Sequence, residues 1–327
     1  MILVTGGAGY VGSHFVHRYL KERTNEEVVV VDDLSEGHKE AIANLDRIHP
    51  FFVDMGDFGA MVDIFRRFPV TQVVHFAGSC YVGESEQVPR KYFSNNVINS
   101  LNLLSAMEEC GVRQIVFSST CSTYGIPQQL PLVETHPQEP INTYGLTKLM
   151  IEKAIQTYGR IHQWSYVLLR YFNAAGADDS GLIGESHAPE THLIPLALKA
   201  ALDRTKPLTV FGTDYDTRDG TCIRDYIHVC DLADAHIRAL ELIESNGYRG
   251  ELNMGTSHGA SVKEVIQMCK EVTGMEIPVE YGPRRAGDPA VLTADPSLAE
   301  RILHVRAKYD LRSIIETAWN WETNRRY

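Results

Sequence analysis

The chain has 327 residues, enough for one large α/β domain with an appended part or for roughly two domains. Its composition, 44% hydrophobic and 22% charged, is that of an ordinary globule, and a formal net charge of -11 argues against nonspecific binding to nucleic acid or an anionic membrane. No apolar run approaches the roughly 20 residues of a membrane span, and a first strand that starts at Met1 leaves no room for a signal peptide, so a cytoplasmic location is expected.

Met1 to Val4 is a short apolar run suited to a buried strand. It breaks at once into Gly6, Gly7, Gly9 and Gly12 before Val11, Phe15, Val16, Tyr19 and Leu20 resume at helical spacing. Strand, tight turn and helix start place backbone N–H groups and the positive end of a helix dipole beside one cavity, which suits a pyrophosphate. Glycines are needed there because a Cβ would block the phosphates or force an unfavourable φ. Val28 to Val31 is a second apolar run that ends in Asp32, twenty positions after Gly12, where a dinucleotide fold places the acid for a ribose 2′-OH. Asp32 and Asp33, with no Lys or Arg until Lys39, would repel a 2′-phosphate, so NAD is expected rather than NADP.

Glu40 to Arg47 reads as a short helix, and Phe51 to Val53 as a brief strand leading to Asp54 and Met55, which the fold would set near an adenine. Asp57 is a candidate N-cap for a helix over Met61 to Phe68. A buried strand over Val70 to Phe76 ends at Ala77 and Gly78; a long amphipathic helix over Tyr92 to Cys110 and a strand over Gln114 to Ser118 follow. This alternation predicts a parallel Rossmann sheet wound with helices on both faces. Ser118 to Gly125 is rich in hydroxyls at the carboxyl end of a strand, the edge at which such sheets bind ligands. Beyond a proline-punctuated loop, a helix over Tyr144 to Tyr158 sets Tyr144 and Lys148 on one face at i and i+4, and Val167 to Tyr171 is another strand.

From about Asn173 the regular alternation stops. The remaining expectations are helices over Ile194 to Leu202, Val229 to Ser245 and Ser261 to Gly274, strands over Leu208 to Phe211 and Glu251 to Met254, and an interrupted helical stretch over Leu298 to Trp321. A division into a cofactor part, 1–174, and a smaller mixed α/β part, 175–327, is expected, with the chain crossing between them. The six cysteines form no CxxC pair and read as reduced thiols. His187 and His192 lack a nearby Cys or acid at the usual zinc spacing, so they read as surface or pocket histidines and no metal is expected.

A tyrosine one turn from a lysine is a proton-transfer device. Phenol has an ordinary pKa near 10, and an ammonium within several ångströms favours the phenolate. Tyr144 is the candidate base, and Thr120, on the neighbouring strand end, can bond the same substrate oxygen.

TGGAGYVG at 5–12, Asp32, HFAG at 75–78, SST at 118–120, YGLTK at 144–148 and RYFN at 170–173 resemble the extended short-chain dehydrogenase/reductases. VGES at 82–85, DGTCIRDYIHVCDLADAH at 219–236 and RRAGDP at 284–289 resemble, more narrowly, the UDP-glucose 4-epimerases of that family, and the likeness runs nearly end to end. The resemblance implies that bound NAD is reduced and reoxidised in each turnover while the sugar C4 passes through a ketone. It implies a cofactor held by Gly6, Gly9, Tyr10, Val11, Gly12, Asp32, Asp33, Asp54, Met55, Phe76, Ala77, Gly78, Asn96, Ser118, Tyr144, Lys148 and Tyr171. It also implies a UDP-sugar held by Thr120, Tyr144, Asn173, Leu193, Phe211, Arg224, Arg285, Asp288 and Leu292, with the two arginines clamping the diphosphate. A homodimer paired through the helices over 92–110 and 144–158 is implied as well.

Three departures stand out. Cys80 occupies the place of a lysine found near the cofactor in many members, His192 that of an asparagine, and Leu292 a gate where a tyrosine is associated with simple hexoses and a smaller residue with N-acetylated ones. Epimerisation of UDP-GlcNAc/GalNAc, UDP-xylose/arabinose or UDP-glucuronate is the alternative, since the C4 chemistry is shared. A 4,6-dehydratase would need an acid beside the strand-end hydroxyls, where Cys121, Ser122 and Thr123 stand. A noncatalytic NAD sensor would have no use for Tyr144 and Lys148 together with a diphosphate clamp.

Overall fold

The computed structural model describes residues 1–285 and 287–327. Its centre is an all-parallel sheet of seven strands. In chain order these are β1 (Ile2–Thr5), β2 (Val28–Val31), β3 (Ile48–Phe51), β4 (Gln72–His75), β5 (Gln114–Thr120), β6 (Ser165–Tyr171) and, after the short β7 (Asn173–Ala175), β8 (Leu208–Phe211) and β9 (Ile223–His228) of the smaller part, β10 (Arg249–Met254). The spatial order β3-β2-β1-β4-β5-β6-β10 reverses between β1 and β4, and ligands bind outside the carboxyl ends of the strands at such a switch point.

The helices are α1 (Tyr10–Glu22), α2 (Phe58–Arg67), α3 (Val82–Ser85), α4 (Pro89–Tyr92), α5 (Asn99–Glu109), α6 (Thr143–His162), α7 (Leu193–Leu202), α8 (Val229–Asn246), α9 (Val262–Thr273), α10 (Ser297–Leu303) and α11 (Leu311–Thr323). On one face of the sheet Phe15, Val16 and Leu20 of α1 pack with Leu232, Ile237 and Leu240 of α8. On the other, α2, α5 and α6 contribute Met61, Leu103 and Ile151. Strand residues such as Val4 and Val30 on one side and Leu3 and Val29 on the other are fully buried, as a sheet covered on both faces requires. Capping matches the sequence: Asp57 accepts from the Ala60 N–H, Asn142 from the Gly145 N–H, and Ser261 with Glu264 forms a capping box.

The smaller part has its own core, drawn from α7, α9 and α11, and two small sheets. In one, β9 is flanked by β11 (Gly259–Ser261) and β13 (Val291–Leu292) and also pairs with β7; in the other, β8 pairs with β12 (Val279–Gly282). Because α8 and β10 return to the large sheet, the chain passes out of the first part and back again. Among the described residues no helix is long and apolar enough to cross a membrane.

Several elements differ from their sequence expectation. Glu40 to Arg47 is not a helix beyond one 3-10 turn, Lys39–Ala41. Arg47 instead takes a left-handed φ of 54 and its guanidinium donates to the carbonyls of Leu20, Arg23 and Glu26, closing the end of α1. The third strand lies earlier than expected, at Ile48–Phe51, which leaves Val53 and Asp54 on the loop beyond its carboxyl end. The long helix is one helical run from Pro89 to Glu109 with a π-helical stretch over Phe93–Ile98.

Candidate active site

One cavity of about 2090 Å³ runs along the carboxyl edge of the large sheet and into the smaller part. At one end is the glycine turn between β1 and α1. Gly6 has φ 70, and a Cβ there would lie 2.6 Å from the Ala77 nitrogen; one on Gly12 would lie 2.0 Å from the Gly6 oxygen. Substitution is sterically closed at both, and the chain bends tightly enough to leave the first turn of α1 open to the cavity. No side chain caps that helix at Gly9, so its N-terminal N–H groups and dipole face the space. Asp32, at the end of β2, accepts from the Ala8 and Leu34 N–H groups, each at 2.9 Å, which fixes its carboxylate at the cavity wall. Burial pushes that carboxyl up, opposed by the same two N–H groups.

Gly9, Tyr10, Val11, Asp33, Asp54, Met55, Phe76, Ala77, Gly78, Ser118 and Tyr171 line the same end. Asp54 is engaged by the Gly56 N–H and the Asn99 amide, both at 2.8 Å, and Met55 is buried. The Tyr171 hydroxyl donates to His236 Nε2 at 2.6 Å; burial lowers this imidazole to about 4, and its Nδ1 sits 2.8 Å from the Leu232 carbonyl. Asn96 does not line the cavity. It lies behind the wall, accepting from the Ser79 N–H at 2.8 Å and donating to the Ser79 carbonyl and Thr147 Oγ1.

In the middle of the cavity stand Thr120, at the end of β5, and Tyr144 and Lys148 on α6. The Thr120 hydroxyl accepts from the Ser122 N–H at 3.1 Å, on the same cavity lining as the Tyr144 phenol. Lys148 Nζ donates to the Ser118 carbonyl at 2.9 Å and lies 4.9 Å above the Phe117 ring. The sequence leads to the expectation that Lys148 depresses the phenol; instead burial dominates and pushes Tyr144 well up, with the Cys80 thiol adding to it and the Thr120 hydroxyl opposing it. Burial also pulls Lys148 down to about 8. At Cys80 the wall carries a neutral thiol, which burial pushes up to about 12.

The other end is built by Asn173, Leu193, Phe211, Arg224, Arg285, Asp288 and Leu292, all on the cavity lining. Arg224 donates to the Ile223 carbonyl at 2.7 Å and pairs with Asp288, so this carboxylate holds the guanidinium at the wall. Arg285 lies 4.3 Å above the Phe211 ring. β13 pairs Leu292 with Arg224 on β9, which ties the gate position to the cationic wall.

Three features escape the sequence reading. Glu152 follows Tyr144 and Lys148 at the same four-residue interval on α6, and its buried carboxylate receives two bonds from Arg170 on β6, at 2.9 and 2.7 Å, and one from Ser119. That spacing, with the arginine of RYFN, was the available signal. Asp225, fully buried on β9, accepts from the Thr256, Ser257 and Ala294 N–H groups and fastens β9 to its neighbours. The absence of an acid near His187 and His192 is also corrected: Glu185 and Glu190 converge on both imidazoles. Burial would lower the two histidines, but the carboxylates outweigh it and carry His187 up to about 9 and His192 up to about 10.

The chain is 49% identical to a UDP-glucose 4-epimerase of Halalkalibacterium halodurans over 98% of its own length and 95% of that protein's. The fold matches a crystal structure of a UDP-glucose 4-epimerase with a TM-score of 0.95, at 44% identity over 99% of this chain and 98% of the other. It matches that of the Brucella ovis enzyme in complex with NAD with a TM-score of 0.92, at 45% identity over 97% of each. The model of the NAD dependent epimerase/dehydratase family matches residues 2–255, and the chain belongs to that family.

Proposed function

We propose that this protein is a UDP-glucose 4-epimerase that inverts C4 through a 4-keto sugar with Tyr144 as the base. The observation that carries the reading is the single cavity that joins the glycine turn and Asp32 at one end to Phe211, Arg224 and Arg285 at the other, with Tyr144 between. The residues fit NAD: the turn has space only for glycine at positions 6 and 12, the α1 N-terminus is uncapped, and Asp32 and Asp33 line the cavity together, a pair of carboxylates that would repel a 2′-phosphate. When bound, NAD⁺ supplies the acceptor that takes the C4 hydrogen with its electron pair and gives it back, and a positive charge beside the phenol.

As the phenolate, which the positive charges of Lys148 and of bound NAD⁺ would favour, Tyr144 Oη would take the proton of the sugar 4-OH as the C4–H bond breaks, leaving a C4 carbonyl. Thr120 Oγ1 aligns that oxygen and offsets part of the burial that keeps the phenol protonated. Lys148, fixed by the Ser118 carbonyl and next to Gly78, would hold the nicotinamide ribose. Arg224 and Arg285 hold the diphosphate while the ketose turns its other face, and Tyr144 Oη then returns the proton to the C4 oxygen. Net redox change is zero. Asn173 and Leu193 would border the sugar and uridine, and Leu292, mid-sized, would leave room for UDP-GalNAc or a pentose.

We also propose a homodimer in a cytoplasmic setting: Ile98 and Leu101 on the run from Pro89 to Glu109, and Leu146 and Met150 on α6, are 40–61% exposed and offer an apolar face for a second copy. Light scattering tests this, with Met150→Glu expected to yield monomer. For the reaction, purified protein given UDP-galactose with no added NAD should form UDP-glucose, and UDP-glucose should form UDP-galactose. No interconversion from a preparation that carries the cofactor would reject the reading.

A further inference from the structure

The segment Glu185-Ser-His187-Ala-Pro-Glu190-Thr-His192 folds back so that four ligating side chains meet in front of α7. Their ligand atoms all lie within 4.8 Å of one another. His192 Nδ1 is 2.6 Å from Glu185 Oε1 and 3.3 Å from Glu190 Oε1; His187 Nδ1 is 3.1 Å from Glu185 Oε1 and 3.8 Å from Glu190 Oε2. A tetrahedron of zinc bonds about 2.0–2.1 Å long has edges of roughly 3.3–3.4 Å. The imidazole-to-carboxylate separations fall on both sides of that value, and with every pair of ligand atoms within 4.8 Å a central ion needs the side chains to draw together by up to roughly 1.5 Å, within rotamer freedom.

Hydrogen bonding alone leaves the cluster incomplete. Glu190 Oε2 is buried, in a side chain only 4% exposed, and has no hydrogen-bond partner. An orphaned carboxylate oxygen inside a group of imidazoles is costly unless a cation meets it. Two carboxylates buried together need two positive charges, which two imidazolium protons or one divalent cation supply equally. Two nitrogens and two oxygens with no thiolate suit a borderline ion such as zinc better than magnesium or calcium, which seek oxygen alone. Four protein ligands leave no open position, so the ion would be structural.

We propose that Glu185, His187, Glu190 and His192 form a four-coordinate site for a divalent zinc-class ion that pins the loop entering α7. The site borders the large cavity, with the Tyr10 and Tyr81 rings packed edge-on against His187. It is independent of the epimerase reading, because its readouts are metal content and spectrum rather than turnover.

The test begins with full-length protein stripped by EDTA, desalted, titrated with ZnCl2 and assayed for metal by mass spectrometry, with CoCl2 as a parallel spectroscopic probe. About one zinc per chain is expected, together with the visible d–d bands of four-coordinate cobalt and a raised Tm on zinc addition. His187→Ala and the near-isosteric Glu190→Gln should each weaken zinc by about 100-fold or more while far-UV circular dichroism and bound NAD are retained. Wild-type protein that holds no stoichiometric zinc overturns the proposal. So does zinc binding that both variants keep unchanged, which would mean ions held elsewhere on the surface.

Discussion

Glu152→Gln takes one charge out of a pair that water does not reach. The Arg170 and Glu152 side chains are 2% and 0% exposed, the guanidinium donates to both carboxylate oxygens, and Ser119 and Gln138 occupy the remaining acceptor sites. Glutamine keeps the shape and one acceptor but puts an NH2 where Arg170 or Gln138 now donates. Breaking a buried ion pair from one side costs about 3–5 kcal/mol because the other charge stays behind. Arg170 retains the Tyr124 hydroxyl at 3.0 Å and the Glu134 carbonyl at 3.1 Å, so the lower end, about 3 kcal/mol, is expected. Urea denaturation at constant m measures it. Glu152 lies one turn from Lys148 and two from Tyr144 on α6, so kcat should fall as well. Adding Arg170→Met removes the stranded cation and should recover part of the lost stability. A cost below about 1 kcal/mol for Glu152→Gln, or simple addition of the two losses, would refute the view that this pair anchors α6.

Tyr144→Phe should lower kcat by about 100- to 10,000-fold with NAD still bound, read by turnover and by released nucleotide; full activity contradicts the proton-transfer role. Gly12→Ala drives a methyl group into the Gly6 carbonyl, so the purified variant should carry little NAD and melt earlier, and normal cofactor content would contradict the tight turn. Leu292→Tyr should cut kcat/KM for UDP-GalNAc by about 10-fold or more relative to UDP-galactose, and an unchanged ratio removes Leu292 as a gate. Asp231 is pushed up to about 6 by burial, against N–H bonds from Lys308 and Tyr309, and its Oδ1 has no partner. A folded acid with a raised pKa binds more protons than the unfolded chain, so stability is lost as pH rises from about 4 to 6. Asp231→Asn should therefore stabilise by up to about 2 kcal/mol at pH 7.5 and little at pH 4.5; an equal Tm shift at both would contradict this.

Most of the large sheet was legible because its signals are local. Val28 to Val31 is a continuous apolar run, the glycine turn has one steric solution, and α1 and α8 show their apolar positions at helical spacing. The pairing of Tyr144 with Lys148 was legible for the same reason, the two being four residues apart on one helix. What escaped depends on partners distant in sequence. β9 reads as polar, with Arg224, Asp225 and His228 in six residues, because its buried acid is satisfied by N–H groups some 30 and 69 positions away. β13 is two residues long and exists only through β9. Asn96 sat on the expected helix, but the structure spends its amide on Ser79 and Thr147. The effect of Lys148 on Tyr144 was judged from spacing, which carries no information on burial.

The central claim is that one C4 hydrogen leaves the sugar and comes back to it without meeting water, while Tyr144 handles only the hydroxyl proton. UDP-galactose labelled with deuterium at C4, converted in ordinary water with no added NAD and analysed by NMR, tests this most directly. The account predicts UDP-glucose with the deuterium still at C4. Product that has exchanged its C4 label for solvent hydrogen would contradict it.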